Sequence, residues 1–132
     1  MFFHDVPLEC INHSATTFQV PAALIVSVIK TEGGWNGAAI KNKNGTYDLG
    51  VMQVNSSWIS TLKKYGITQE SLQFNPCTNV HAATWILAKA MSTKEGWQGV
   101  GNYHSRTPSH NKRYREKVRS IYKNVKLALG KE

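Results

Sequence analysis

Apolar residues recur at helical spacing along most of this chain. Leu8, Ile11, Ala15 and Phe18 fall on one face of a first helix, with Cys10 beside them. Pro21 stands where a second helix begins, and the run Ala22-Ala23-Leu24-Ile25-Val26-Ser27-Val28-Ile29 continues it until Gly33-Gly34. This helix is apolar nearly all round, which places it at the centre of the molecule. Asn42-Lys43-Asn44-Gly45 is a turn signal and predicts a small loop or short β-hairpin near residues 38–50. Asn55-Ser56-Ser57 caps a predicted helix from Trp58 to Tyr65, closed by Gly66. Asn75-Pro76 opens another, carrying Val80, Ala83, Trp85, Leu87 and Met91. Gly96 to Gly101 reads as loose, with a short helix around Val100, and Ser105 to Ser109 as loop. From Asn111 a final amphipathic helix aligns Tyr114, Val118, Ile121, Tyr122, Val125 and Leu129. With no repeat, low-complexity stretch or linker, the expectation is one mainly α domain over residues 1–132.

Composition narrows the setting. The chain has 132 residues, 41% of them hydrophobic, enough for one real core. No apolar run approaches the roughly 20 residues that cross a bilayer, so no membrane span is expected. Met1-Phe2-Phe3-His4-Asp5 is too soon interrupted to be a signal peptide, so an exported form is expected to have lost its leader. Sixteen Lys and Arg against eight Asp and Glu give a net charge of +8, which favours a polyanionic partner. Nucleic acid, acidic lipid and acidic wall polymer all fit that charge, which cannot choose among them. Cys10 and Cys77 admit two readings: free buried thiols, or a disulfide that pins the first helix to the middle of the chain and implies an oxidising compartment. Neither cysteine belongs to a zinc-spaced cluster, so neither metal nor cofactor is expected.

The candidate chemistry is reached by elimination. There is no Gly-x-Ser-x-Gly elbow, no cysteine with a catalytic histidine signature, no phosphate loop and no His-Glu-x-x-His. Of the eight acids, Glu9, Glu70, Glu95, Glu116 and Glu132 sit on polar faces or ends. Glu32 instead closes the most apolar helix, where poor solvation raises a carboxyl pKa and keeps the acid protonated. Asp48 reads as a turn or cap residue.

Glu32 after an apolar helix, followed by Tyr47-Asp48-Leu49-Gly50-Val51-Met52-Gln53-Val54-Asn55, resembles the core of the soluble, goose-lysozyme-like lytic transglycosylases. Gly99-Val100-Gly101-Asn102-Tyr103-His104-Ser105-Arg106-Thr107-Pro108 is similar to the tyrosine motif of the small members that accompany type IV secretion, conjugation and related envelope-spanning machines. Asn55-Ser56-Ser57-Trp58 and Asn75-Pro76-Cys77-Thr78-Asn79 fit the same subgroup, including its paired cysteines. The resemblance runs from about Leu8 to Tyr122.

The resemblance implies a lysozyme-like fold and cleavage of the β-1,4 bond between N-acetylmuramic acid and N-acetylglucosamine in peptidoglycan, leaving a 1,6-anhydromuramoyl end. Glu32 would act first as acid and then as base, so no second carboxylate is required. Gln53 and Asn55 would line the sugar groove, Met52 its wall, and Gly50 would let the backbone pass close to substrate or acid. Tyr103 would sit near Glu32, where its hydroxyl would orient the carboxylate or stabilise developing charge. It further implies a periplasmic monomer whose partners are glycan strands and components of a secretion or conjugation apparatus, with no nucleic acid. Two departures stand out: Gly33 replaces a common Ser, and Tyr103-His104-Ser105 replaces Tyr-Asn-Ala-Gly. Among the tryptophans, Trp35 is the best candidate for stacking on sugar, and His104 reads as exposed or packed rather than as a base. A goose-type hydrolase, a non-catalytic wall-binding assembly factor and a nucleic-acid-binding helical protein are the competing readings.

Overall fold

The computed structural model describes residues 1–130 of the chain, with side chains through residue 128. Two short strands, β1 (Phe2–Phe3) and β2 (Val6–Pro7), form an N-terminal hairpin, followed by α1 (Leu8–Phe18) and α2 (Ala22–Glu32). Next come β3 (Ala39–Lys41), β4 (Tyr47–Leu49) and β5 (Val54–Asn55), a three-stranded antiparallel sheet in sequence order. A helical segment follows as a 3-10 turn, Ser56–Trp58, then α3 (Ile59–Leu62), then a second 3-10 turn, Lys63–Tyr65. The remaining helices are α4 (Gln69–Phe74), α5 (Pro76–Thr93), α6 (Gly96–His104) and α7 (Pro108–Gly130). The fold is mainly α, as the periodicity predicts.

Helix α2 is the hub. Leu24, Ile25, Val28 and Ile29 are buried, and each such side chain stabilises the fold by roughly 2 kcal/mol. Gly33 ends the helix in the left-handed conformation (φ 65°) and its N–H reaches the Ile29 carbonyl. Helix α5 starts as expected, with the Asn75 side chain accepting from the Thr78 N–H at 3.1 Å and Pro76 in the first turn. Cys10 and Cys77 form a disulfide joining α1 to the start of α5.

The structure departs from expectation in four places. The N-terminal hairpin and α4 are additional elements, the latter held by a capping box between Thr68 and Ser71. The segment from Gly96 is not loose but continuous helix to His104. Its glycines permit close packing: a Cβ on Gly99 would strike the Lys94 carbonyl and the Met91 backbone, and one on Gly101 would strike the Asn111 side chain. Finally, α7 begins at Pro108 rather than Asn111, because proline suits the first turn of a helix. Tyr114 and Val118 are buried on its inner face, with Ile121, Tyr122 and Val125 partly buried. Leu129 of the expected stripe and Glu132 lie outside the described side chains.

Candidate active site

The last turn of α2 carries Glu32 out of the core to its rim, where it is half-buried. Gly34 then lies directly against the turn that follows β4. A Cβ there would collide with the carbonyls of Gly50 and Val51, so no other residue lets the two segments meet this closely. That turn is built tightly. Gly50 is left-handed (φ 69°) and donates to the Ala38 carbonyl at 2.9 Å. Gln53 is also left-handed (φ 55°), and its Nε2 donates to the Gly50 carbonyl at 3.0 Å.

Buried Asn79 on α5 fixes the turn from below. Its Nδ2 donates to the carbonyls of Leu49 and Leu72, each at 2.8 Å, and its Oδ1 accepts from the Met52 N–H at 2.8 Å. All three of these hydrogen bonds go to backbone. This also explains Gly50: a side chain there would run into Asn79 and the Leu72 carbonyl at 2.6 Å, so glycine is required by the close approach to the core. Met52 differs from expectation as well. Its side chain is fully buried in the core and lines no cleft, and its contribution is a carbonyl that accepts from Tyr103 Oη at 3.0 Å.

Tyr114, not Tyr103, holds the acid. Its Oη donates to Glu32 Oε2 at 2.6 Å. Burial and the Glu32 charge push the Tyr114 hydroxyl far above its usual range, and burial does the same for Tyr103, helped by Glu32 and Asp48. Both therefore stay neutral donors. His104 stacks flat on Tyr114, with ring centroids 4.7 Å apart and planes within 5°. Burial and neighbouring His110 lower the His104 pKa.

These contacts set the state of the acid. Burial raises the Glu32 carboxyl from 4.5 to about 7; the Tyr114 hydrogen bond opposes this, Asp48 adds to it, and Lys117 opposes it again. Near neutral pH the group is thus shared between acid and carboxylate, the condition in which one side chain can both give and take a proton.

Glu32 stands at the junction of two clefts. One, of about 390 Å³, is lined by Asn42, Asn44, Thr46, Asp48, Gln53, Asn55, Trp58, Tyr103 and His104 among others. Its polar floor follows from sheet register: Asp48 pairs with Asn55 across β4 and β5, and Asn55 Nδ2 donates to Asp48 Oδ1 at 3.1 Å and to Thr46 Oγ1 at 3.0 Å. The other, of about 420 Å³, is lined by Thr31, His104, His110, Arg113, Tyr114 and Lys117. A larger cavity of about 800 Å³ between α1 and α5 contains neither Glu32 nor any cleft residue. Its Ser14, bonded to His81 at 2.9 Å, is 1% exposed and inaccessible as a nucleophile.

Of the residues singled out in the sequence, Glu32, Gln53, Asn55 and Tyr103 come together at the first cleft, and Met52 and Gly50 support it from beneath. Trp35 is exposed and lines neither cleft, whereas Trp58 does line the first. Tyr114 and Asn79 join the site although no motif marks them. A hydroxyl on the inward stripe of α7 was the available signal for Tyr114; for Asn79 it was a lone amide among the apolar positions of α5.

Residues 9–126 match the family model described as transglycosylase SLT domain. The chain is 31% identical over 118 residues to Protein IpgF of Shigella flexneri, covering 87% of this chain and 78% of that one. It is 32% identical over 130 residues to Invasion protein IagB of Salmonella typhi, covering 94% and 81%. A Peptidoglycan-binding-like protein of Escherichia coli O157:H7 is 31% identical over 126 residues, covering 86% and 75%.

Proposed function

Because this chain belongs to the SLT transglycosylase family and is a lytic transglycosylase of peptidoglycan, we propose that Glu32 performs both proton transfers of the cleavage. The observation that carries this reading is an acid raised to about 7, gripped by Tyr114, at the meeting point of two clefts. Protonated Glu32 gives its proton to the glycosidic oxygen as the bond from the muramoyl anomeric carbon breaks, releasing the 4-hydroxyl of N-acetylglucosamine. The carboxylate so formed takes the proton of the muramoyl 6-hydroxyl, whose oxygen closes on the anomeric carbon. No water is consumed and Glu32 ends protonated, ready for the next cycle. Assistance from the 2-acetamido group in the first step removes the need for a protein nucleophile.

The first cleft suits a chain of N-acetylated sugars. Gln53, Asn55, Asn42 and Asn44 offer amides for acetamido and hydroxyl groups, and Trp58 offers an aromatic wall. Peptidoglycan as substrate supports a periplasmic location, and the Cys10–Cys77 disulfide suits that oxidising space. One relative bears the name Invasion protein, which supports a role in opening the wall locally for an envelope-spanning secretion or conjugation apparatus.

Asp48 motivates a second reading. It lines the same cleft as Glu32, so it could serve as a base that activates water and make the enzyme a hydrolase of goose-lysozyme character. Digestion of purified sacculi separates the two, since the anhydro product is lighter than the hydrolysed one by one water in mass spectrometry. The lytic reading predicts anhydro ends, and their loss in Glu32→Gln. Undiminished muropeptide release by that variant would refute the assignment of Glu32.

A further inference from the structure

The two clefts that share Glu32 differ in chemistry. The first presents amides, hydroxyls and the Asp48 carboxylate to the sugar chain. The second presents the cations Arg113 and Lys117, which stand with His110 at i, i+3 and i+7 on one face of α7, with Tyr114 between them holding the acid. All three are exposed, and His104 forms the wall common to both clefts. Among the described residues lining the second cleft, Glu32 is the only acid. A cationic hollow with so little internal neutralisation favours an anionic guest.

The substrate supplies an anion at that position. In peptidoglycan the muramoyl ring carries a peptide stem on its 3-oxygen, two ring carbons from the anomeric centre at which Glu32 acts. A cleft that meets the glycan cleft at Glu32 is therefore within reach of the stem, whose free carboxylates match guanidinium and ammonium groups. We propose that the second cleft is the recognition site for the carboxylate-bearing peptide stem of the muramoyl residue being cleaved, with Arg113 and Lys117 as its specificity determinants. This rests on the glycan-cleaving function stated above. It makes the enzyme selective for strands still carrying charged stems.

The test compares initial rates on three soluble glycan preparations: strands with uncrosslinked stems, the same strands with their carboxylates amidated, and strands stripped of stems by an amidase. The intact strands are expected to be cleaved about fivefold faster than the amidated ones at low salt, the scale of two partly exposed ion pairs. That preference should shrink toward about 0.3 M salt, as screening requires. Arg113→Gln combined with Lys117→Gln should bring the ratio close to one, whereas Arg113→Lys should preserve most of it. Equal wild-type rates on intact and amidated strands, or an unchanged ratio in the double variant, would overturn the proposal. Stripped strands keep only the lactyl carboxylate and should behave like the amidated ones; if they matched the intact strands, the cleft would belong to that carboxylate and the stem assignment would fail. Turnover of none of the three would instead overturn the glycan-cleaving reading itself.

Discussion

Replacing Glu32 with glutamine should make the protein more stable, and more so as pH rises. Burial holds the folded-state pKa at about 7 against an ordinary 4.5, so the folded protein keeps a proton that the unfolded chain has already lost. The stability tied to that proton is fully present below about 4.5 and is lost as pH climbs through 7. At complete ionisation the difference amounts to about 3 kcal/mol, at 1.36 kcal/mol for each tenfold change in proton affinity. Glu32 retains some contact with solvent, and an amide accepts from Tyr114 less strongly than a carboxylate does. A gain of about 2 kcal/mol at pH 8 is therefore the working figure.

Thermal unfolding followed by circular dichroism measures this directly. For a chain of this length, about 2 kcal/mol corresponds to a rise in Tm of roughly 7 °C. The expected result is that Glu32→Gln melts about 5–8 °C above the wild type at pH 8, the gap closing to about a degree at pH 4.5. Equal Tm values at pH 8 would mean that the carboxylate is ionised there without penalty, and the account of its protonation would fall. A gap of the same size at both pH values would point to packing rather than charge.

Tyr114→Phe removes the hydrogen bond that holds the Glu32 pKa down, so the alkaline limb of the pH–rate profile should move upward while kcat falls roughly tenfold from lost orientation. Asp48→Asn removes a charge that raises the same pKa; the limb should move to lower pH, and mass spectrometry should still find anhydro ends. Asn79→Ala removes three buried hydrogen bonds, to the Leu49 and Leu72 carbonyls and from the Met52 N–H, and urea titration should show a loss of about 3 kcal/mol or more. The double variant Cys10→Ser, Cys77→Ser frees a loop of 67 residues, and the same titration should show about 4 kcal/mol less stability in the chain-entropy account.

The helices were legible because their determinants are local. Pro21 and Gly33 bracket α2, Asn75-Pro76 opens α5, and apolar spacing marks the inner faces. Glu32 was legible for the same reason: an acid at the end of an apolar helix is conspicuous in one dimension. What the sequence hid depends on packing between distant segments. Gly99 and Gly101 read as flexibility because nothing local reveals the Met91–Lys94 backbone or Asn111 pressed against them. Tyr114 read as core because the stripe it occupies is core, and only the meeting of α7 with the end of α2 brings its hydroxyl to an acid 82 positions away. Asn79 and Gly50 form a single lock whose halves are 29 residues apart, so each alone looked unremarkable.

The same long-range packing explains why two carboxylates in one cleft have different characters. Asp48 lies on a strand opposite Asn55, whose amide donates to it while its carbonyl oxygen caps the following turn through the Ser57 N–H at 3.0 Å. One side of Asp48 is thereby committed to holding the cleft floor together, in an environment rich in polar groups. Glu32 receives a single neutral hydroxyl at the rim of the core, where partial burial disfavours its charge. A group that stays part-protonated near neutrality can supply a proton and then recover one, whereas a group tied into a structural network is poorly placed to move toward a water. The negative charge of Asp48 still acts at a distance, by discouraging ionisation of Glu32 and so keeping the acid loaded. Under the proposed mechanism this division leaves Asp48 an electrostatic role and gives both proton transfers to Glu32, with the 6-hydroxyl as the attacking group.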